Sequence, residues 1–350
     1  MKALHRIMDR AREAPVRIAM SEAEDPRILE AAVRATRQGI ARILLVGDRA
    51  RIADAAGRQG LELAGIDFHD PAQAANQREL AQALYQLRRH KGLSMAEAES
   101  SAQDPLVCAN LLVRQGLAEG TVSGAVRTSA DVVRTAIQVI GVNPDIKLVS
   151  SFFLMMLCEP FHSLKGGLIF SDCGLVVDPN AEELSEIALA AVDSASSLLM
   201  EEPRVAMLSF STDGSAKHAA VDKVVAATNR VKALRPGLCI DGDVQLDAAI
   251  VAHIASRKLP ESRVKGRANV LIFPNLEAGN IGYKLAERIG GAVAIGPLLQ
   301  GLAKPANDLS RGCSSEDVFH VIAVTVVQAA TPSPSSMPSP SASRCATCAE

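Results

Sequence analysis

The chain has 350 residues, of which 48% are hydrophobic, and it carries 37 basic and 39 acidic side chains. This length and apolar content are sufficient for about two domains with large cores. The near-neutral charge and the absence of tryptophan argue against a nucleic-acid partner, because nucleic acids select basic patches and aromatic stacking surfaces. No membrane contact is predicted, since no charge-free apolar stretch is long enough to span a bilayer.

Helical and strand patterns alternate along most of the chain, which is typical of an α/β fold. Up to residue 145, short apolar runs predict strands at 17–21, 41–46 and 120–123. Helical periodicity predicts helices at 26–38, 79–89, 104–114 and 131–140.

The same alternation restarts after Pro144. Asn180 and Glu183 have the spacing of a capping box, so a helix is predicted from there to Leu199. Further helices are predicted at 216–234 and from residue 282, and strands at 147–157, 167–171, 205–210 and 270–273.

A long loop is predicted at 296–313, because its glycines and prolines interrupt regular structure. Loops of this length in compact proteins are usually functional. Ser314 and Asp317 have the spacing that opens a helix, and the nearly continuous apolar run at 318–330 predicts that this helix is buried. Ser310, Arg311 and Asp317 are therefore predicted near a helix N-terminus, where free N–H groups and the helix dipole favour anions.

At these residues the sequence resembles a known family. The stretch at 296–317 reads G-P-L-L-Q-G-L-A-K-P-A-N-D-L-S-R-G-C-S-S-E-D and is similar to the C-terminal signature of the phosphate acetyltransferases. That family interconverts acetyl-CoA plus phosphate with acetyl phosphate plus CoA. Six further segments resemble the same family in the same order: 21–27, which reads S-E-A-E-D-P-R, then 85–92, 104–116, 123–134, 208–218 and 273–285.

The resemblance implies a particular α/β architecture. It consists of two three-layer α/β/α domains with a cleft between them, similar to isocitrate and isopropylmalate dehydrogenases. Residues 1–145 and 296–330 would form the first domain and residues 146–295 the second. The loop that begins at Gly296 would then line the cleft. Residues 331–350 lie outside the resemblance, and their serines and prolines predict a disordered tail with an isolated Cys345/Cys348 pair.

The resemblance also implies catalytic roles for three residues. Asp317 would be the base that deprotonates CoA, Arg311 its electrostatic partner, and Ser310 a donor to the tetrahedral intermediate. Proton transfer from an ordinary thiol to an ordinary carboxylate is uphill by roughly 6 kcal/mol, so Asp317 would need help from burial or from a cation such as Arg311. The residues alone also allow a purely structural role for Asp317, as the partner of Ser314 in a capping box.

Six more residues are implied to contact phosphate or CoA: Arg88, Thr128, Ser129, Arg134, Tyr283 and Lys284. From the residues alone, Arg88 is equally consistent with a charge that complements a helix end. Thr128 and Ser129 are equally consistent with ordinary helix capping.

Two other kinds of chemistry can be read from the sequence. Cys313 beside Arg311 is a candidate acyl acceptor, although a small, half-buried structural cysteine is the favoured interpretation. Asp241, Asp243 and Asp247 could form a divalent-metal site. The same D-G-x-x-Q-L-D run is ordinary for the resembled family, which uses neither a metal nor a redox cofactor, so no metal or cofactor is predicted.

The resemblance therefore implies a phosphate acetyltransferase with CoA and acetyl phosphate as its substrates. A phosphate butyryltransferase, or another short-chain phosphate acyltransferase, is the first alternative. A metal-dependent 2-hydroxy-acid dehydrogenase of similar architecture and a non-catalytic regulatory module are weaker ones. A homodimer is expected from the family, and the singly placed cysteines predict a cytoplasmic location, because they suit a reducing compartment.

Overall fold

The computed structural model of the protein describes residues 2–162, 164 and 166–331, and its strands form two sheets. The strands of the first sheet are β1 (Arg17–Met20), β2 (Arg42–Val46), β3 (Asp67–His69), β4 (Gly120–Ser123) and β11 (Ala306–Asp308). All of them are parallel, in the spatial order β11-β4-β1-β2-β3. Chain connections run outward in both directions from β1 and β4, so a ligand crevice is expected beyond the carboxyl ends of these two strands.

Side chains of the first sheet alternate between two helical layers, because successive side chains of a strand point to opposite faces. Ile18 and Met20 pack on one layer and Ala19 on the other. The first layer contains α1 (Lys2–Glu13), α2 (Pro26–Arg37), α3 (Arg49–Arg58) and α13 (Ser315–Ala330). The second contains α4 (Gln77–Arg88), a 3-10 turn (Arg89–Lys91), α5 (Met95–Ala102), α6 (Pro105–Arg114) and α7 (Ser129–Val139).

The second sheet is mixed. Its strands are β5 (Ser150–Leu157), β6 (Gly166–Ser171), β7 (Arg204–Leu208), β8 (Cys239–Val244), β9 (Val270–Ile272) and β10 (Val293–Gln300). Their spatial order is β10-β5-β6-β9-β7-β8, with antiparallel pairing of β10, β5 and β6 and parallel pairing of the others.

Helices cover both faces of this second sheet as well. Phe152 of β5 packs on the side of α8 (Ala181–Leu199) and α9 (Ala219–Leu234). Phe153 packs on the opposite side, which is covered by α10 (Leu246–Ile250), α11 (Ala252–Lys258) and α12 (Leu276–Arg288). Both sheets are therefore the middle layer of a three-layer α/β/α arrangement, which confirms the predicted fold class.

One continuous apolar core joins the two sheets. Ile18 of the first sheet and Phe152 of the second belong to the same buried cluster. The helices that connect them are α1 and α13, which both pack against α8. Phe319 and Ile7 are fully buried on these two helices.

The predicted long loop is partly wrong. The strand β10 continues to Gln300, and β11 forms at 306–308. A register shift between Ile295 and Leu298 accommodates Gly296 and Pro297, and β10 pairs with β5 on both sides of it. A bulge of this kind lets a strand pass a proline, which has no N–H to donate.

The chain changes sheets between β10 and β11. The predicted domain boundary at residue 296 lies inside β10. The chain passes from the second sheet to the first only after Gln300, a few residues later than predicted. The division into domains remains a prediction. Within the described chain, no helix combines the length and apolarity that a membrane span requires. The predicted tail at 331–350 lies outside the described residues, apart from Thr331.

Candidate active site

Three neighbouring strands of the first sheet, β1, β4 and β11, end at the same edge because they are parallel. β1 leads into Ser21 and Glu22, and β4 leads into Gly124. β11 ends at Asp308, two residues before Ser310. The polar residues predicted to act in catalysis thus follow directly from the carboxyl edge of the sheet, where ligands of such folds usually bind.

A cavity of about 300 Å³ lies where the loop after β11 meets the second sheet, and we call it the reactive cavity. Four of the predicted site residues line it: Ser310, Asp317, Tyr283 and Lys284. Its other lining residues are Phe153, Glu287, Arg288, Ala294, Gly296, Pro297, Gly312 and Cys313. Residues of α12 and the second sheet therefore meet residues of the loop after β11 and the start of α13 in one concave site.

Asp317 is half-buried at the start of α13 and is held by Ser314. The N–H and the hydroxyl of Ser314 both donate to its Oδ2, each at 2.8 Å, and the Asp317 N–H donates to the Ser314 Oγ at 3.2 Å. The predicted capping box is confirmed. A capping role does not exclude a catalytic one, because the same two hydrogen bonds fix the carboxylate in the wall of the cavity.

Arg311 is exposed and does not line the reactive cavity. Its backbone carbonyl accepts a hydrogen bond from Arg27 at 2.8 Å. Among the described residues its guanidinium forms no ion pair within 4.0 Å, so it is not paired with Asp317. The loop 310–313, which we call the reactive loop, thus holds the Arg311 backbone and leaves its side chain free to meet a ligand.

Tyr283 and Lys284 are presented to the reactive cavity by α12. The Tyr283 ring stacks on Phe153 with 3.9 Å between ring centroids, and the Lys284 ammonium lies 5.8 Å from the same tyrosine ring. Burial raises the pKa of Tyr283, so its hydroxyl stays protonated at neutral pH and can donate a hydrogen bond. This wall of the cavity therefore offers one ammonium and one neutral hydroxyl.

A second cavity, of about 480 Å³, lies along α7, and we call it the α7 cavity. The predicted residues Ser129 and Arg134 line it, opposite Gly174 and Leu175 of the second sheet's side. The Arg134 side chain is largely exposed and pairs with Asp131 at 3.0 Å. Arg134 and the start of α7 are the groups of this largely apolar groove that could contact an anion, and Arg134 is already paired with Asp131.

The two remaining predicted residues lie outside both cavities. Thr128 is the N-cap of α7, and its Oγ1 accepts from the Asp131 N–H at 3.2 Å. Arg88 is the last residue of α4, next to the 3-10 turn. The structure therefore brings the predicted residues together in two groups rather than one, with Arg88 apart from both.

Glu22 was not predicted as a site residue, yet it organises the loop that leads into α7. Its carboxylate accepts hydrogen bonds from four successive N–H groups, those of residues 124–127, at 2.6 to 3.0 Å. Such a row of N–H groups is a typical anion site. Glu22 already occupies this row, whereas the N–H groups of Ser129 and Ala130 at the start of α7 donate to no other group within the described residues.

Asp308 was also missed, although it lies within the C-terminal signature. Its carboxylate is 1% exposed, and neither oxygen has a well-formed hydrogen bond among the described residues. The Asp308 side chain packs directly against Gly124. A Cβ atom at position 124 would lie 2.2 Å from the Asp308 Oδ1. Burial raises the pKa of Asp308 to about 7, against weaker opposing effects of Ser129 and the Leu309 N–H.

The raised pKa of Asp308 predicts a pH dependence of stability. Between its ordinary pKa of 3.8 and about 7, the folded protein holds a proton that the unfolded chain has released. Asp308 alone therefore lowers the free energy of unfolding by up to about 1.4 kcal/mol for each pH unit of increase in this window. Asp308→Asn should remove this slope, so the variant gains stability relative to the wild type as the pH rises to 7.

Urea unfolding of both proteins at a series of pH values measures this difference directly. Asparagine is a close match for the protonated acid in size and hydrogen-bonding groups, so the variant should still fold. Parallel stability curves for the two proteins would contradict the prediction.

The surroundings of Cys313, and of the aspartates at 241, 243 and 247, indicate structural roles for these residues. Burial raises the pKa of the Cys313 thiol, and the neighbouring Arg27 opposes this shift only in part, which disfavours a thiolate nucleophile. Asp241 accepts hydrogen bonds from the Ser262 hydroxyl and two backbone N–H groups, and Asp247 pairs with Lys258 at 2.8 Å. Among the described residues these carboxylates do not converge with other ligands on a point where a metal could sit.

Comparisons with known proteins agree on one family. The family profile described as phosphate acetyl/butaryl transferase matches residues 2–326. A phosphate acetyltransferase from Paracoccus denitrificans is 48% identical over 328 residues, which are 94% of this chain and 99% of that protein.

Solved structures lead to the same group of proteins. A phosphotransacetylase from Staphylococcus aureus is 37% identical, with a TM-score of 0.87 over 94% of this chain and 98% of that one. A phosphotransacetylase from Streptococcus pyogenes is 38% identical, with a TM-score of 0.86 over 93% and 98% of the two chains. The chain therefore belongs to the phosphate acetyl/butaryl transferase family.

Proposed function

We propose that this protein is a phosphate acetyltransferase, which transfers an acetyl group reversibly between CoA and phosphate. The observation that carries the proposal is the reactive cavity, in which Ser310 and Asp317 of the C-terminal signature face Tyr283 and Lys284 across the junction of the two sheets. The relatives named above, which carry this activity in their names, support it.

In the proposed reaction the CoA thiol gives its proton to Asp317. The sulfur then bonds to the carbonyl carbon of acetyl phosphate, and the carbon–oxygen bond to the phosphoryl group breaks as phosphate leaves. Arg311 would stabilise the developing thiolate, and the Ser310 hydroxyl would donate to the oxyanion of the tetrahedral intermediate. These steps need neither a metal nor a redox cofactor, and we propose that none takes part.

Phosphate and CoA would be held by cationic groups around the two cavities. Lys284 is placed to contact an anion in the reactive cavity. Arg134 and the free N–H groups at the start of α7 would take a phosphate group of CoA in the α7 cavity. Arg88 lies outside both cavities, so the CoA contact that the family resemblance implies for it would be to a part of CoA that extends beyond them.

Acyl-group preference is the direct test of the proposed function. The purified protein is mixed with CoA and acetyl, propionyl or butyryl phosphate, with and without EDTA, and thioester formation is followed. We expect the highest kcat/KM with acetyl phosphate and no effect of EDTA. Faster reaction with butyryl phosphate would favour the butyryltransferase alternative, activity lost to EDTA would contradict a metal-independent mechanism, and no thioester from any acyl phosphate would reject the proposal.

We further propose that the protein is a homodimer that buries an apolar stripe of α12. Ile281, Leu285 and Ile289 are spaced four residues apart, so they lie on one helix face, and they are 58%, 52% and 79% exposed. Val293 on the edge strand β10 is exposed just after this helix, and the exposed Phe161 lies against Gly291 between them. A second copy of the chain is the expected occupant, since the family resemblance predicts a homodimer and large exposed apolar patches usually mark interfaces. Among the described residues, Cys108, Cys173, Cys239 and Cys313 are free thiols, which supports the proposed cytoplasmic location.

A charge in this stripe should break the dimer. Leu285→Glu combined with Ile289→Glu should shift the protein from dimer to monomer in sedimentation velocity, because burying carboxylates in an apolar interface is costly. Leu234→Glu is the matched control, since Leu234 is a comparably exposed leucine outside the stripe. A wild-type monomer, or a dimer that survives the double substitution, would contradict the proposed interface.

A further inference from the structure

Arg27 donates all of its guanidinium N–H groups to partners in three separate segments. Its Nε and Nη2 atoms donate to the two carboxylate oxygens of Asp25 at 3.0 and 2.8 Å. Nη2 also donates to the carbonyl of Ala125 at 2.8 Å. Nη1 donates to the carbonyls of Arg311 and Cys313 at 2.8 and 3.1 Å. A guanidinium with every donor engaged by fixed partners has one defined orientation.

The reactive loop depends on this side chain for its attachment. Inside the loop, the N–H groups of Gly312 and Cys313 donate to the side chain and the carbonyl of Ser310, so these hydrogen bonds are local. In the part of the chain that the structure describes, Arg27 is the one side chain from another segment that donates to the loop backbone. Between its ends at β11 and α13, the backbone of the loop is therefore tied to another segment by one guanidinium.

Arg27 also holds the loop at 124–127, which leads into α7. Glu22 binds the N–H groups of that loop, and Arg27 binds a carbonyl in its middle, so the loop is fixed through both kinds of backbone group. Ser129 and Arg134, just beyond it, line the α7 cavity. Arg27 thus links the loop of the reactive cavity to the loop of the α7 cavity.

We propose that Arg27 is a positioning residue that holds the reactive loop in register with the start of α7. The groups proposed to act on the acetyl carbonyl are then aligned with the groups proposed to hold CoA, so that both sets can contact the same bound acetyl phosphate and CoA. The role of this alignment in catalysis rests on the proposed function, whereas the positioning itself does not. Because a displacement of about 1 Å can cost about a hundredfold in rate, loss of this link should affect kcat strongly.

The experiment compares Arg27→Ala with Arg34→Ala. Arg34 lies on the same helix and pairs with Glu316 at the start of α13, and its guanidinium sits 4.0 Å from the Phe319 ring, but it does not donate to the reactive loop. Both variants are examined by steady-state kinetics, by thermal unfolding, and by hydrogen exchange of peptides that cover 309–314 and 124–127. Free guanidinium is added to each, at concentrations well below those that unfold proteins.

Arg27→Ala should lower kcat by about tenfold to a hundredfold and speed exchange in these two peptides alone. Free guanidinium should restore part of its kcat. Arg34→Ala should retain kcat within about twofold, with unchanged exchange in both peptides. If Arg27→Ala does not fold, Arg27→Lys replaces it, since lysine keeps the charge but cannot reach all three segments from one point.

Two results would overturn the proposal. One is exchange in the two peptides of Arg27→Ala that matches Arg34→Ala. The other is an equal rise of exchange over the whole chain, which would assign Arg27 to general stability. A wild-type protein that transfers no acetyl group would reject the proposed function instead, and the exchange comparison would still decide whether Arg27 positions the loop.

Discussion

Replacing Asp317 by asparagine should lower kcat by about two orders of magnitude or more, with little change in KM. Asparagine keeps an oxygen that can accept from Ser314, so the cap of α13 and the wall of the reactive cavity should remain. What the variant loses is the ability to take a proton from the CoA thiol. Steady-state kinetics with acetyl phosphate and CoA, with thermal unfolding as a check on folding, measures the effect.

The neighbouring carboxylate provides the matched control. Glu316 lies one residue earlier on the same helix turn, but it pairs with Arg34 and His320 instead of lining the cavity. Glu316→Gln should therefore turn over normally and lose less than about 1 kcal/mol of stability. Near-normal turnover of Asp317→Asn would remove this residue as the base and leave it with its capping role alone.

Arg311→Gln is expected to cost about 3 kcal/mol of transition-state stabilisation, or roughly a hundredfold in kcat. The thiolate forms only as the reaction proceeds, so a cation that stabilises it acts on kcat more than on binding. The substitution should leave the backbone of the reactive loop in place. Arg27 holds the loop through the carbonyl of residue 311, which every amino acid possesses, so the charge is removed without releasing the backbone.

Arg311→Lys separates charge from geometry. It should recover part of the lost kcat, because the positive charge returns without the planar pair of donors. Arg58→Gln serves as the control, since Arg58 is an exposed arginine that pairs with Asp54 on its own helix and lines neither cavity. A loss of Arg311→Gln activity confined to KM would reassign the residue to substrate binding.

Elements with a strong local sequence pattern were predicted more accurately than elements with a weak one. Strongly periodic elements such as α8, with its capping box at Asn180, were predicted with nearly correct ends. Short or irregular elements were missed, among them β3 with three residues and α3 with its several arginines. β10 was missed because its Gly-Pro pair suggests a break, whereas pairing with β5 on both sides of the bulge maintains the strand. Tertiary pairing of this kind leaves no local trace in the sequence.

Residues of the candidate site could be predicted only where the family motif and the expected chemistry indicate the same positions. Ser310 and Asp317 could be found because the signature places polar groups at a helix start, and both line the reactive cavity. Glu22, Arg27 and Asp308 also lie in quoted motifs. Their partners are backbone groups of distant loops, and sequence does not show which backbone atoms a side chain will meet. Whether the predicted residues have the roles assigned to them stays a prediction.

The core shared by the two sheets has a consequence for motion in this molecule. Because α13 and the apolar face of α1 are buried between them, the two halves cannot swing widely apart without exposing apolar surface to water. Any closure over bound substrates must therefore be a small rocking movement about α13, the same helix whose first turn bears Asp317. The hinge and the carboxylate proposed as the base would then move as one body, so the cleft could open and close slightly while that carboxylate stays nearly still.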